Sequence, residues 1–168
     1  MDYKSFLSIA VIFVTAIQTT NAKTVVFYPP PLTSYILYHT NVAEALASLG
    51  HDVWLCVPQS IVKKGLVKDK SIKILEYGEH LGDLEKTIYD NAGILDRFWD
   101  GETQEISAMY RGVIESGKIA NAILSDKTLI DNIRNLKAEL AVLDSMPFNM
   151  NMIVLPYMLD IPYALIGT

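Results

Sequence analysis

Two short apolar runs, rich in β-branched residues, stand close together near the start of the sequence. The first is Thr24-Val25-Val26-Phe27-Tyr28 and the second is Asp52-Val53-Trp54-Leu55-Cys56-Val57. Both are short and almost continuously apolar, the pattern of strands covered on two faces. The first runs into Pro29-Pro30-Pro31, which can neither continue a strand nor begin a hydrogen-bonded helix turn. The second is closed by Pro58. Residues 35–49 between them predict a helix. Ile36, Val42, Leu46 and Leu49 mark an apolar stripe, while Ala43, Ala45 and Ala47 add helix propensity. Thr33 or Ser34 offers an N-cap, and Gly50 a C-terminal stop. Strand, helix and strand within about 34 residues form a βαβ unit with parallel strands.

The same alternation continues along the chain. Residues 71–77 alternate in polarity and read as a third strand, at a sheet edge. Residues 84–137 carry a helical pattern. Ile106, Met109, Tyr110, Val113, Ala120 and Leu124 fall on one face, and Leu129, Ile130, Ile133 and Leu136 mark a further helix. Residues 139–144 are a fourth strand ending in Asp144, residues 148–159 a helix interrupted by Pro156, and residues 161–167 a fifth strand. Strands alternating with helices predict an α/β fold: a doubly wound, mainly parallel, Rossmann-like sheet. Such a sheet gathers ligands at the carboxyl ends of its strands. The 29–35 loop, the 58–70 loop and Asp144 all belong there.

Part of the apolar content lies outside this domain. Lys4 and the free amine give a positive start, Phe6 to Ile17 is apolar apart from Ser8 and Thr15, and residues 18–22 are polar and end in Ala22. Residues 1–22 therefore read as a cleaved secretory signal peptide, leaving one domain over 23–168. An anchor helix is the other reading. Twelve residues are too few for it, since crossing the bilayer takes about 20. No other segment is long and apolar enough to span.

Composition excludes several classes. The net charge is −5, with only 14 Lys and Arg, which argues against a nucleic-acid partner. One cysteine, Cys56, excludes an internal disulfide framework and a cysteine-rich zinc site. The three histidines His39, His51 and His80 leave little for an all-histidine metal site. The turn after the first strand is proline-rich where a dinucleotide fingerprint would need glycine, and no Walker motif, Gly-x-Ser-x-Gly elbow or His-Glu-x-x-His is present. The basic stretch 63–70 is either an anion site or a solvated loop, the loop being the commoner case. Asp144 has two readings as well. It caps the segment after its strand, or it orients a proton-accepting group at the start of the first helix.

The stretch from Pro31-Leu-Thr-Ser-Tyr-Ile-Leu-Tyr-His39 to Leu49-Gly50-His51-Asp52-Val53 resembles the opening of the UDP-glucuronosyltransferase family of UDP-glycosyltransferases. Leu140-Ala141-Val142-Leu143-Asp144, followed after a helix by Leu159-Asp160-Ile161-Pro162-Tyr163, resembles the family's later strands. The resemblance covers most of residues 23–168, in order and spacing. It implies a GT-B enzyme whose N-terminal domain holds a small lipophilic acceptor and whose C-terminal domain holds a UDP-sugar. In that family a histidine opening the first helix deprotonates the acceptor, an aspartate on the later strand orients it, and the sugar is transferred with inversion. The compartment implied is the endoplasmic reticulum lumen, or secretion.

Two departures qualify this expectation. Counting back from Gly50, the base position holds Tyr35. Tyrosine hydroxyls ionise near pH 10, leaving about one in a thousand as phenolate at neutral pH, so tyrosine makes a weak base. His39 lies one turn deeper on the same face and either substitutes for the base or serves as a neutral, hydrogen-bonded histidine of the fold. Asp144 is then expected without its usual partner. The chain is also expected to stop within the acceptor domain, with no donor-binding half, no bound cofactor and no catalysis of its own. The alternative is a secreted or lumenal module that binds a lipophilic ligand or pairs with full-length relatives. Tyr28, Tyr38, Phe98, Trp99 and Tyr110 are candidates to line its pocket, though core packing explains them equally well. The absence of an Asn-x-Ser/Thr sequon leaves lumenal exposure without a glycosylation marker.

Overall fold

The computed structural model describes residues 22–92, 106–146 and 151–167. The leader predicted over 1–22 lies outside the described residues except for Ala22.

The chain is a doubly wound α/β domain. Five strands form one all-parallel sheet: β1 (Thr24–Tyr28), β2 (Asp52–Pro58), β3 (Ile72–Tyr77), β4 (Leu140–Asp144) and β5 (Tyr163–Ile166). Their order is β3-β2-β1-β4-β5. The chain winds outward from β1 in one direction and, from β4, in the other. The switch point therefore lies between β1 and β4, where Phe27 pairs with Val142 and Tyr28 with Leu143. β3 stands at an edge, as its alternating pattern predicts.

Period-two alternation sorts the strand side chains onto two cores. Val25, Phe27, Leu55 and Val142 face helix α1 (Thr33–Ser48). Val26, Tyr28, Cys56 and Leu143 face the other side, against Ala120 and Ile123 of α4 (Ile106–Leu124) and Leu129, Ile130 and Ile133 of α5 (Lys127–Leu136). Asp144 continues the α1-facing series of Leu140 and Val142, and so turns toward α1. The short α2 (Gln59–Val62) follows β2, and α3 (Leu84–Ala92) follows a 3-10 turn after β3.

Four details depart from expectation. The buried face of α1 is Ile36, His39, Thr40 and Ala43; Leu49, placed on the apolar stripe, is exposed. Two polar residues face the core because each has a partner there: Thr40 Oγ1 donates to the Ile36 carbonyl at 2.7 Å, and His39 meets Asp144. Second, α1 begins at Thr33, and neither Thr33 nor Ser34 caps it; the N-cap is Leu32, with no side-chain bond. Third, the helix expected over 148–159 is shorter. Residues 151–153 form a 3-10 turn and α6 is only Val154–Met158, with Pro156 in the first turn, where a missing amide is tolerated; residues 147–150 lie outside the described set. Fourth, Tyr110 and Val113 of α4, expected on its packed face, are exposed, while Ala120 and Ile123 carry the burial.

Candidate functional site

The site is built where β1 and β4 part. β4 delivers Asp144 at its carboxyl end, and α1, starting five residues after β1, delivers His39 on its inward face. His39 Nε2 lies 3.3 Å from Asp144 Oδ2. His39 is 0% exposed and Asp144 2%. The other carboxylate oxygen, Oδ1, accepts from the Met146 amide at 2.7 Å. Asp144 thus holds its own backbone two residues on, in an Asx turn, and with its other oxygen meets the imidazole of His39. Asp144 is partnered by His39, one turn deeper than the Tyr35 position. The helical face that brings His39 inward points it at the end of β4.

A carboxylate only accepts hydrogen bonds, so the neutral imidazole carries its proton on Nε2 and donates it to Asp144. Nδ1 is then a free lone pair, buried and without a hydrogen-bond partner among the described residues. The Phe27 ring meets His39 edge-on with centroids 6.0 Å apart, and Tyr38 does the same at 5.8 Å. Burial lowers the His39 pKa; the hydrogen bond and charge of Asp144 oppose this but do not overcome it. His39 is therefore neutral at pH 7, with its free Nδ1 buried.

Tyr35 sits one turn earlier on α1, half-buried. Among the described residues no hydrogen bond joins it to Asp144, whose two oxygens are taken by His39 and Met146. Tyr38 reaches the far side of the site, where its hydroxyl donates to the Gly167 carbonyl at 2.9 Å just past β5. Of the aromatic residues offered as a pocket lining, the described ones do not form a common pocket. Tyr28 is buried and stacks on Tyr77 with ring centroids 5.7 Å apart, Tyr110 is exposed on α4, and Phe98 and Trp99 lie outside the described residues. A narrow, wholly apolar crevice beneath α6 is lined by Val26, Tyr28, Ile133, Leu143, Leu155 and Ile161. It offers no polar group to orient a ligand.

The second cluster at this sheet edge was not legible as a site. Glu85, in the first turn of α3, accepts from the Thr33 amide at 2.7 Å and the Thr33 hydroxyl at 2.8 Å, and pairs with Lys64 from the loop after α2. Lys63, Lys68 and Lys70 are exposed, so the basic stretch is a solvated loop with Lys64 as its one inward tie. Residues 64 and 85 could have been linked in advance only by noting that each follows a strand in the same parallel sheet.

Among the described residues no three His, Cys, Asp or Glu side chains are grouped to hold a metal, and no helix is long and apolar enough to cross a membrane. Fold and site together define a doubly wound α/β protein with a His–Asp pair enclosed at its switch point. No family model matches the chain, and no curated protein matches it.

Proposed function

We propose that this chain is the acceptor-side domain of a UDP-glycosyltransferase-type protein, one that holds a small lipophilic acceptor without activating it. The observation that carries this reading is the His39–Asp144 pair at the switch point between β1 and β4. That is where an open α/β sheet places its ligand, and where an inverting transferase needs an oriented base. The chemistry stops short of transfer for a geometric reason. The histidine that is oriented is fully enclosed, and the half-buried position nearer the helix start is Tyr35. In this reading the UDP-sugar belongs to a separate donor-binding domain, and the leader directs the protein to the endoplasmic reticulum lumen or to secretion. Binding alone, by a secreted or lumenal module or as a partner of full-length relatives, follows from the same enclosure of His39.

The test is a chimera in which residues 23–168 replace the acceptor domain of an active UDP-glycosyltransferase. It is assayed with UDP-glucuronic acid and UDP-glucose on a panel of phenols. The native sequence should give no transfer above background. Tyr35→His should restore it, since a positioned general base contributes about 10²–10⁴-fold. Transfer by the native chimera at the parent's rate would contradict the missing-base reading. Failure of both forms to bind any phenol would contradict the acceptor reading.

A further inference from the structure

Helix α1 runs 16 residues, yet it starts without a side-chain cap and without an acidic residue in its first turn. A helix start leaves backbone amides unpaired and carries a partial positive charge, so it calls for an acceptor, best a negative one. Here the acceptor comes from 52 residues away. Glu85 Oε1 takes the Thr33 amide and Oε2 takes the Thr33 hydroxyl. Lys64 Nζ pairs with the same carboxylate and also donates to Thr33 Oγ1 at 3.3 Å. Each of the three residues thus bonds the other two, in a closed ring. The three belong to the segments that follow β1, β2 and β3. Glu85 is 8% exposed, so it is largely withdrawn from water, and its contacts are charge-assisted. Burial by itself would raise its pKa; the Lys64 ammonium and the two Thr33 donors outweigh burial and hold it below the ordinary value.

We infer that Glu85 and Lys64 form an ionic latch that caps α1 from outside the helix and pins its opening turn to the loops after β2 and β3. The latch acts on the turn that carries Tyr35 and leaves the His39–Asp144 pair on the far side of the helix turn untouched. It stands independently of the acceptor reading, because it concerns how the start of α1 is held to the neighbouring loops. At the other end of that edge, Tyr38 to Gly167 and His39 to Asp144 tie α1 to the ends of β5 and β4. The latch supplies the matching tie on the β2 and β3 side.

The experiment is residue-resolved amide hydrogen exchange on the whole chain and on three variants. The Thr33 amide occupies the first helical position, where an uncapped helix exchanges freely. In the native chain it should be protected like an interior amide. Glu85→Ala should lose that protection by about tenfold or more, while amides of Phe27 and Val142 in the central strands stay unchanged. Glu85→Gln keeps an acceptor but loses the charge, and Lys64→Met removes the cation. Each should cost part of the protection, and the double variant should lose little more than either single, because both break one ring. If Glu85→Ala does not fold, Glu85→Gln and Lys64→Met carry the test. A Thr33 amide that exchanges freely in the native chain, or that stays protected in both of these variants, overturns the latch.

Discussion

Removing the imidazole of His39 leaves the Asp144 carboxylate buried with the Met146 amide as its remaining partner. His39→Leu should therefore destabilise the fold by about 2–4 kcal/mol, more than the lost hydrogen bond alone, because a charged acceptor is left under-satisfied. His39→Leu combined with Asp144→Leu should recover part of that loss. Denaturant titrations of the four forms, read as a double-mutant cycle, should give a coupling of about 0.5–3 kcal/mol, and additive effects would show that the contact contributes nothing. The pH dependence follows from the same pair. The folded-state pKa of His39 lies below the ordinary histidine value of 6.5, so the unfolded chain takes up its proton first as pH falls. Stability is full above about 6.5 and is lost as pH drops from there toward the folded pKa. Urea midpoints at pH 7.5 and 5.5 should show this slope in the native chain and a smaller one in His39→Gln. At this scale the site was half legible. Asp144 stands out by ending a strand, whereas Tyr35 and His39 were singled out only through the family resemblance. The pairing of His39 with Asp144 was not legible, because spacing along a helix names a face, and only the strand alternation that turns Asp144 toward α1 decides which residue it meets.

Helix α1 shows what hydrophobic periodicity reads well and where it fails. Its existence and its stop at Gly50, which takes φ 89°, were plain in the sequence. Its inward face was not. Leu49 looks apolar and is 69% exposed; His39 and Thr40 look polar and are buried. Ala43 at 0% exposure lies against the sheet, where its small side chain lets the helix approach closely. Ala43→Leu should therefore cost about 1–3 kcal/mol through overpacking, whereas Leu49→Lys should change stability by less than about 0.5 kcal/mol. Thermal or urea melts of the two variants check the ordering, and the reverse ordering would restore the stripe read from the sequence. The missing N-cap has a similar explanation. Thr33 carries a capping side chain, but the chain turns into the helix one residue earlier, and Glu85 arrives from a part of the sequence that no local pattern connects to residue 33.

The topology was the most legible level, because short apolar or alternating strand runs are punctuated by proline, glycine or charge and are separated by helical segments, the plainest of them α1 between β1 and β2. The sheet's far side is less self-contained. Val154, Tyr157 and Met158 on α6 and Tyr163 and Leu165 on β5 are all exposed. Exposed apolar residues next to an unpaired strand edge favour association. Sedimentation of the chain should show concentration-dependent self-association that Tyr157→Glu with Leu165→Lys reduces; a native monomer at all concentrations would contradict this. The central claim concerns the switch point, where a neutral, buried His39 donates from Nε2 to Asp144. ¹⁵N NMR of the imidazole tests it most directly. The account predicts a pyrrole-type Nε2 and a pyridine-type Nδ1, with a pKa below the 6.5 of an unperturbed histidine. A His39 that titrates at its ordinary value, or carries its proton on Nδ1, would contradict the account.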